Sequence, residues 1–143
     1  MATIFGDIQG VKFLREAVGE PGQCVVEIAF TLGAYTASSD NGQLGGTGTK
    51  RNGVAIPTGQ TLEQFLAADR RDGKTVTLSG VATAVAITAE TGKQGSTQYY
   101  LKSPAVSGGN LTFDIANSSG TEIDALSGMS DRPMTIELNC VLS

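Results

Sequence analysis

Side chains able to do chemistry are few in this sequence, and the commonest of them is missing: none of its 143 residues is histidine. That removes the usual general base near neutral pH and the commonest transition-metal ligand together. Catalysis would fall to carboxylates, lysine, cysteine or tyrosine. Asp40, Asp69, Asp72, Asp114, Asp124 and Asp131 sit mostly in turns or on strand exteriors, where Asp shapes hydrogen bonding, and none stands in a calcium-loop register. Cys24 and Cys140 lie far apart without a C-x-x-C pattern, so neither a disulfide framework nor a zinc set is indicated. Two buried, reduced thiols are the expectation. No catalytic, metal or cofactor site is expected, and the chain reads as a non-enzyme.

Two glycine motifs resemble phosphate loops and fail on inspection. Gly73-Lys74-Thr75 has Ala68 where the first glycine of a P-loop belongs, and a helix followed by a strand instead of the reverse; a phosphate needs the amides of a strand-loop-helix turn. Gly45 to Gly48 misses the G-x-G-x-x-G register because position 51 is Arg. Tyr35, Tyr99 and Tyr100 could line a sugar platform, although the chain has no Trp and only 6% aromatics. A net charge of -4 with scattered basic pairs, Lys50/Arg51 and Arg70/Arg71, argues against nucleic-acid binding.

The elements that must position any site begin with a helix over about residues 61–71. Thr61 and Gln64 form the capping-box pattern T-x-x-Q. Leu62, Phe65, Leu66 and Asp69 recur on one face, Glu63 falls outside, Arg70 and Arg71 complement the dipole, and Gly73 is the expected left-handed stop. After it, Thr75 to Leu78 and Val81 to Thr88 are β-prone, and their apolar parity switches across Ser79 and Gly80, which suggests a bulge or a bend. Gln23 to Leu32 is the cleanest strand, with Cys24, Val26, Ile28, Phe30 and Leu32 on one parity. Leu111, Phe113 and Ile115 mark another. Met134, Ile136, Leu138, Cys140 and Leu142 mark the closing one. Thr91 to Ser96 reads as the turn of a hairpin whose second strand is Thr97 to Lys102, and Ser118 to Asp131 as polar loop.

Hydrophobic residues at 40%, charged residues at 17% and 19 glycines fit a turn-rich β protein of one domain. Strands about ten residues apart with one helix predict a mainly β fold, a single-domain antiparallel β-sandwich or jelly-roll-like architecture. Two segments stand apart. Residues 1–20 mix apolar side chains without a clean period and read as an arm, with a short strand or a turn of helix near Val11 to Ala17, that either covers the domain's own core or docks on a partner. Residues 33–60 are rich in Gly, Ser, Thr and Asn and read as a long flexible loop; the alternative is short strands around Leu44 and Val54 to Ile56 with a turn at Asn52-Gly53. Partner contacts are expected from Ile4, Phe5 and Ile8 in the arm and from Leu44, Lys50 and Arg51 in the loop.

With the strands placed, the chain resembles the small virion proteins of tailed bacteriophages, above all capsid decoration or cement proteins. The resemblance is carried by the start M-A-T-I-F-G-D-I, the strands V-T-L-S-G-V-A-T-A-V-A-I-T, the loop N-G-Q-L-G-G-T-G-T-K and the ending M-T-I-E-L-N-C-V-L-S. It implies a homo-oligomeric β-sandwich without enzymatic activity that binds the major capsid protein or another virion protein on the head surface. The start of the chain lacks the basic-then-apolar order of a signal peptide and no stretch has the length of a membrane span, so synthesis in the host cytoplasm and no membrane partner are expected. A carbohydrate- or receptor-binding module of a tail or fibre is the alternative.

Overall fold

A computed structural model describes residues 3–16, 22–32, 41–81, 93–94, 97–117 and 134–143, with the backbone alone for 93–94, 97–100 and 117. Two sheets form its body. The five-stranded sheet has the order β1 (Thr3–Phe5), β4 (Asn41–Leu44), β10 (Asn110–Asn117), β9 (Thr97–Ser107), β8 (Lys93–Gln94). The six-stranded sheet has the order β6 (Val54–Ala55), β5 (Lys50–Arg51), β2 (Asp7–Glu16), β3 (Gly22–Thr31), β11 (Met134–Leu142), β7 (Val76–Val81). One helix, α1 (Leu62–Arg70), joins β6 to β7. The fold is therefore mainly β and sandwich-like with one short helix. Pairing is antiparallel except for β1 with β4 and β2 with β5, which run parallel.

The core is built by the alternating strands. Cys24, Val26, Ile28 and Phe30 of β3 face the same side as Cys140, Leu138, Ile136 and Met134 of β11, residue against residue, and all eight are buried. Leu111, Phe113 and Ile115 of β10 oppose them from the other sheet, and the Phe30 and Phe113 rings meet at 5.5 Å between centroids. The parity switch after Leu78 is a bulge. Leu78 pairs Cys140 and Gly80 pairs Asn139, which leaves Ser79 as the extra residue.

The two cysteines are not free thiols. Cys24 and Cys140 are direct cross-strand neighbours with Cα atoms 5.1 Å apart, and they form a disulfide. Their inward parities place them in the core as expected. The reduced state expected from a cytoplasmic origin is overturned by register: adjacent strands bring the two sulfurs together with no backbone rearrangement.

Wherever the two segments are described, the flexible loop is corrected and the alternatives hold: a strand runs through Val11 and covers the chain's own core, and short strands stand at Leu44 and Val54 with the turn at Asn52-Gly53. Residues 3–16 are two strands, and 41–60 carry three more with tight turns; residues 1–2, 17–20 and 33–40 lie outside the described residues. The chain passes from one sheet to the other at Gly6, whose N–H donates to the Gln43 carbonyl and whose carbonyl accepts from Lys50 N–H. A Cβ there would lie 2.4 Å from Leu44 Cδ2, so glycine lets the two layers meet. β2 reads as aperiodic because it is bulged twice, at Gln9 and at Leu14. Each extra residue reverses the parity, so Ile8, Val11, Phe13 and Glu16 face one side although their spacing is three, two and three.

The helix starts as its sequence dictates. Gln64 N–H donates to Thr61 Oγ1 at 3.2 Å and Thr61 N–H to Gln64 Oε1 at 3.0 Å. Leu62, Phe65 and Leu66 are buried. The stop comes earlier than expected: Gly73 is left-handed (φ 76°) as read, but the helix already ends at Arg71, which takes the left-handed conformation (φ 65°) two residues before it. That early turn brings Asp72 back onto Arg70, whose Nη2 donates at 2.7 Å both to Asp72 Oδ2 and to Glu16 Oε1 of β2. Arg70 also covers the Phe13 ring at 4.6 Å. Glu63 is not on the outside; its Oε2 accepts from Leu78 N–H at 2.7 Å, which caps an amide on the outer edge of β7. The strand expected from Val81 to Thr88 lies past Val81 outside the described residues, as does the loop from Ser118 to Asp131, so the hairpin expected between that strand and Thr97 to Lys102 is not described; inside its expected turn, Thr91 to Ser96, Lys93–Gln94 instead form β8, paired antiparallel with β9.

Candidate functional site

The β5–β6 hairpin and the helix flank frame the one strongly exposed apolar position among the described residues. Arg51 and Val54 close the two-residue turn Asn52-Gly53, where both residues have positive φ, 48° and 81°, as the tightest hairpin requires. Its tip is fastened to β2: Asn52 N–H donates to the Ile8 carbonyl at 3.1 Å and Gly53 N–H to Asp7 Oδ1 at 3.0 Å. Held in this way, Val54 stands 70% exposed. Pro57 and Gln60 form the return to the helix, closed by Gln60 N–H on the Pro57 carbonyl.

Between this hairpin and α1 opens a cleft of about 420 Å³, lined by Arg51, Val54 to Pro57, Gln60, Phe65, Ala68, Asp69 and Arg71. Its chemistry is mixed. Phe65, Ile56 and Ala68 give an apolar floor, and Arg51 lies over the Phe65 ring at 5.4 Å while donating to Asp69 Oδ1. Arg71 adds a second guanidinium at the helix end, and among the described residues no ion pair holds it. An open, cationic and apolar groove of this kind suits recognition of another chain's surface. Among its described lining residues no nucleophile is paired with a base.

The residues expected to bind a partner separate into three groups. Ile8 and Leu44 are fully buried and belong to the core, so their assignment to a docking surface is corrected. Ile4 is half-buried against the core. Phe5 is engaged by its own chain, since its ring lies where a side chain at Gly48 would be, 2.6 Å from an added Cβ. Lys50 and Arg51 are exposed on β5, and Arg51 lines the cleft. Missed by sequence reasoning were Val54, Phe65, Asp69 and Arg71 as walls of one groove; the signals were the Asn52-Gly53 turn and the capping box from Thr61, which gain meaning only once the hairpin folds back on the helix. Tyr35 and the side chains of Tyr99 and Tyr100, the candidate sugar platform, lie outside what is described.

Among the described residues no group of three His, Cys, Asp or Glu gathers to hold a metal ion, and no helix is long and apolar enough to cross a membrane. No protein-family model matches the chain, and neither a curated protein nor a solved structure is significantly similar to it.

Proposed function

We propose that this chain is a non-enzymatic structural protein of a tailed-phage particle, a capsid decoration protein that binds assembled coat subunits on the head surface and stabilises them. The reading starts from the resemblance of its sequence to such proteins. The observation that carries it is the groove beside Val54: an exposed apolar side chain flanked by Arg51 and Arg71, held on a hairpin that is itself bonded to the sheet. Such a preorganised, open surface binds without the cost of ordering a loop. Repetition on a lattice then multiplies modest contacts through effective concentration.

In this reading the Cys24–Cys140 bond closes after the particle leaves the reducing host, because virion surfaces are oxidising environments. The proposal includes assembly into a homo-oligomer whose symmetry matches its place on the shell. The test is co-sedimentation of the purified chain with phage heads, coupled to the heat resistance of the shell. Saturable binding at a fixed ratio to coat subunits, with a shell that survives higher temperature, is the expected result. Particles that neither bind the chain nor gain resistance reject the proposal.

A further inference from the structure

The groove has a strand edge for one wall. Arg51 and Val54 pair across the hairpin, and Ile56 N–H donates to the Thr49 carbonyl at 3.1 Å. Hydrogen-bonded pairs alternate along an antiparallel ladder, so the intervening Ala55 turns its N–H and C=O away from β5 and out of the sheet. β6 is the last strand on that side, and Ala55 is exposed. The opposite edge of the same sheet is treated differently: there Glu63 occupies the outward amide of Leu78. Among the described residues, one edge has an outward amide capped by a side chain and the other has none.

Charge narrows what could fill the open edge. Arg51 shares its charge with Asp69, whereas Arg71 has no ion-pair partner among the described residues, so the described lining of the groove carries about one uncompensated positive charge. The chain as a whole has a net charge of -4. We infer that the groove between β6 and α1 binds an extended, acidic peptide segment of a partner protein. Ala55 would supply β-type hydrogen bonds, the Phe65, Ile56 and Ala68 floor would take an apolar side chain, and Arg71 with Arg51 would take a carboxylate. This is strand addition to an exposed edge, with alternate side chains read by the floor and by the rim. The inference deepens the proposed function and rests on it only for the identity of the partner.

The experiment uses the full chain and a labelled, end-blocked peptide of alternating Val and Glu, with an alternating Val and Lys peptide as control, read by fluorescence anisotropy. Saturable binding of the acidic peptide that weakens with added salt is expected. Arg71→Gly removes the guanidinium at a left-handed position that glycine favours, so the fold is kept while affinity falls about tenfold, as for one charge-assisted hydrogen bond. Ala55→Pro removes an N–H that the ladder does not use and should abolish binding. If Ala55→Pro fails to fold, Arg71→Gly alone decides. Equal affinity for the basic peptide, no binding of the acidic one, or an unchanged affinity in a folded Arg71→Gly overturns the inference. So does a wild-type dimer in sedimentation that Arg71→Gly dissolves, because the occupant would then be a second copy. Peptide binding without particle binding would reject the virion reading and leave the groove standing; particle binding unaffected by Arg71→Gly and Ala55→Pro would do the reverse.

Discussion

Two regions of the sandwich reach the same burial by different means. In β3, β11 and β7 the side chains do the work: one parity is apolar, the other wet, and register follows because a one-residue slip would expose the whole inner row. In the corner where β1 passes into β2 and β4 into β5, backbone geometry does it. There Gly6, Gly42 and Gly48 admit Leu44, Phe113 and Phe5 into spaces that a Cβ would fill. The buried Thr49 hydroxyl accepts from Gly45 N–H at 2.9 Å. The first region tolerates exchange of one apolar residue for another; the second tolerates almost no addition of atoms.

The comparison breaks most sharply at the disulfide, which staples the side-chain-driven region. Its partners are 116 positions apart, and closing a loop of that size removes about 4 to 5 kcal/mol of unfolded-state freedom in the chain-entropy model. Cys24→Ala with Cys140→Ala should lower stability by about 2 to 5 kcal/mol in denaturant titrations, and reducing agent should shift the wild type by a similar amount. A wild type indifferent to reductant would show that the bond contributes nothing to this region.

Next comes the helix that braces both regions. Leu66 is fully buried, and Leu66→Ala should cost about 2 to 5 kcal/mol for lost transfer energy and the cavity left behind. Urea midpoints measure it, and a shift near zero would mean that α1 is not packed on the sandwich. In the corner, Gly42→Ala places a Cβ 2.2 Å from Phe113 Cε2. Adding one methyl there should destabilise by about 1 to 3 kcal/mol, as overpacking does. The same substitution at Gly10, where nothing lies within 4 Å of the added atom, should leave the midpoint almost unmoved.

What was legible in the sequence follows the same division. β3, β10 and β11 could be read because alternation survives wherever a strand is unbulged, and the bulge at Ser79 could be read because both flanking stretches were long. The start of α1 announced itself through Thr61 and Gln64, while its stop did not, since an Arg in the left-handed conformation leaves no compositional mark. β2 was hidden by two bulges. β4 and β6 were visible only as the alternative of short strands around Leu44 and Val54 to Ile56, because glycine carries no pattern, and a stretch such as Gly45 to Gly48 reads as loop although the Gly45 and Gly46 amides are bonded. Of the groove, Arg51 was visible as one half of the basic pair Lys50/Arg51; the opposing wall needed the fold.

The smallest expected effect lies at the junction of the two regions, where Arg70 of α1 reaches Glu16 of β2 and Asp72. Arg70 is held above the ordinary arginine range, first by its hydrogen bond to Asp72 and against the cost of burial. That shift acts only in strong alkali, because stability from a raised pKa is present below the unfolded value and lost above the folded one. Asp72 is the useful partner. Its pKa lies below the usual 3.8, chiefly through the Arg70 hydrogen bond and then through Lys74 N–H. A depressed carboxylate stabilises the fold above its unfolded pKa, and that stabilisation disappears as pH falls through the lower, folded value. Asp72→Asn should therefore unfold slightly earlier than wild type at neutral pH, and the two midpoints should converge below about pH 4, near the unfolded carboxylate value. Asp72 is solvent-exposed, so added salt should narrow the gap at neutral pH as well. Midpoints that differ by a constant amount from pH 7 to pH 2 would assign the effect to Asp72's hydrogen bond with the Lys74 backbone instead of to its charge, and the ionic tie from helix to β2 would then rest on Glu16 alone.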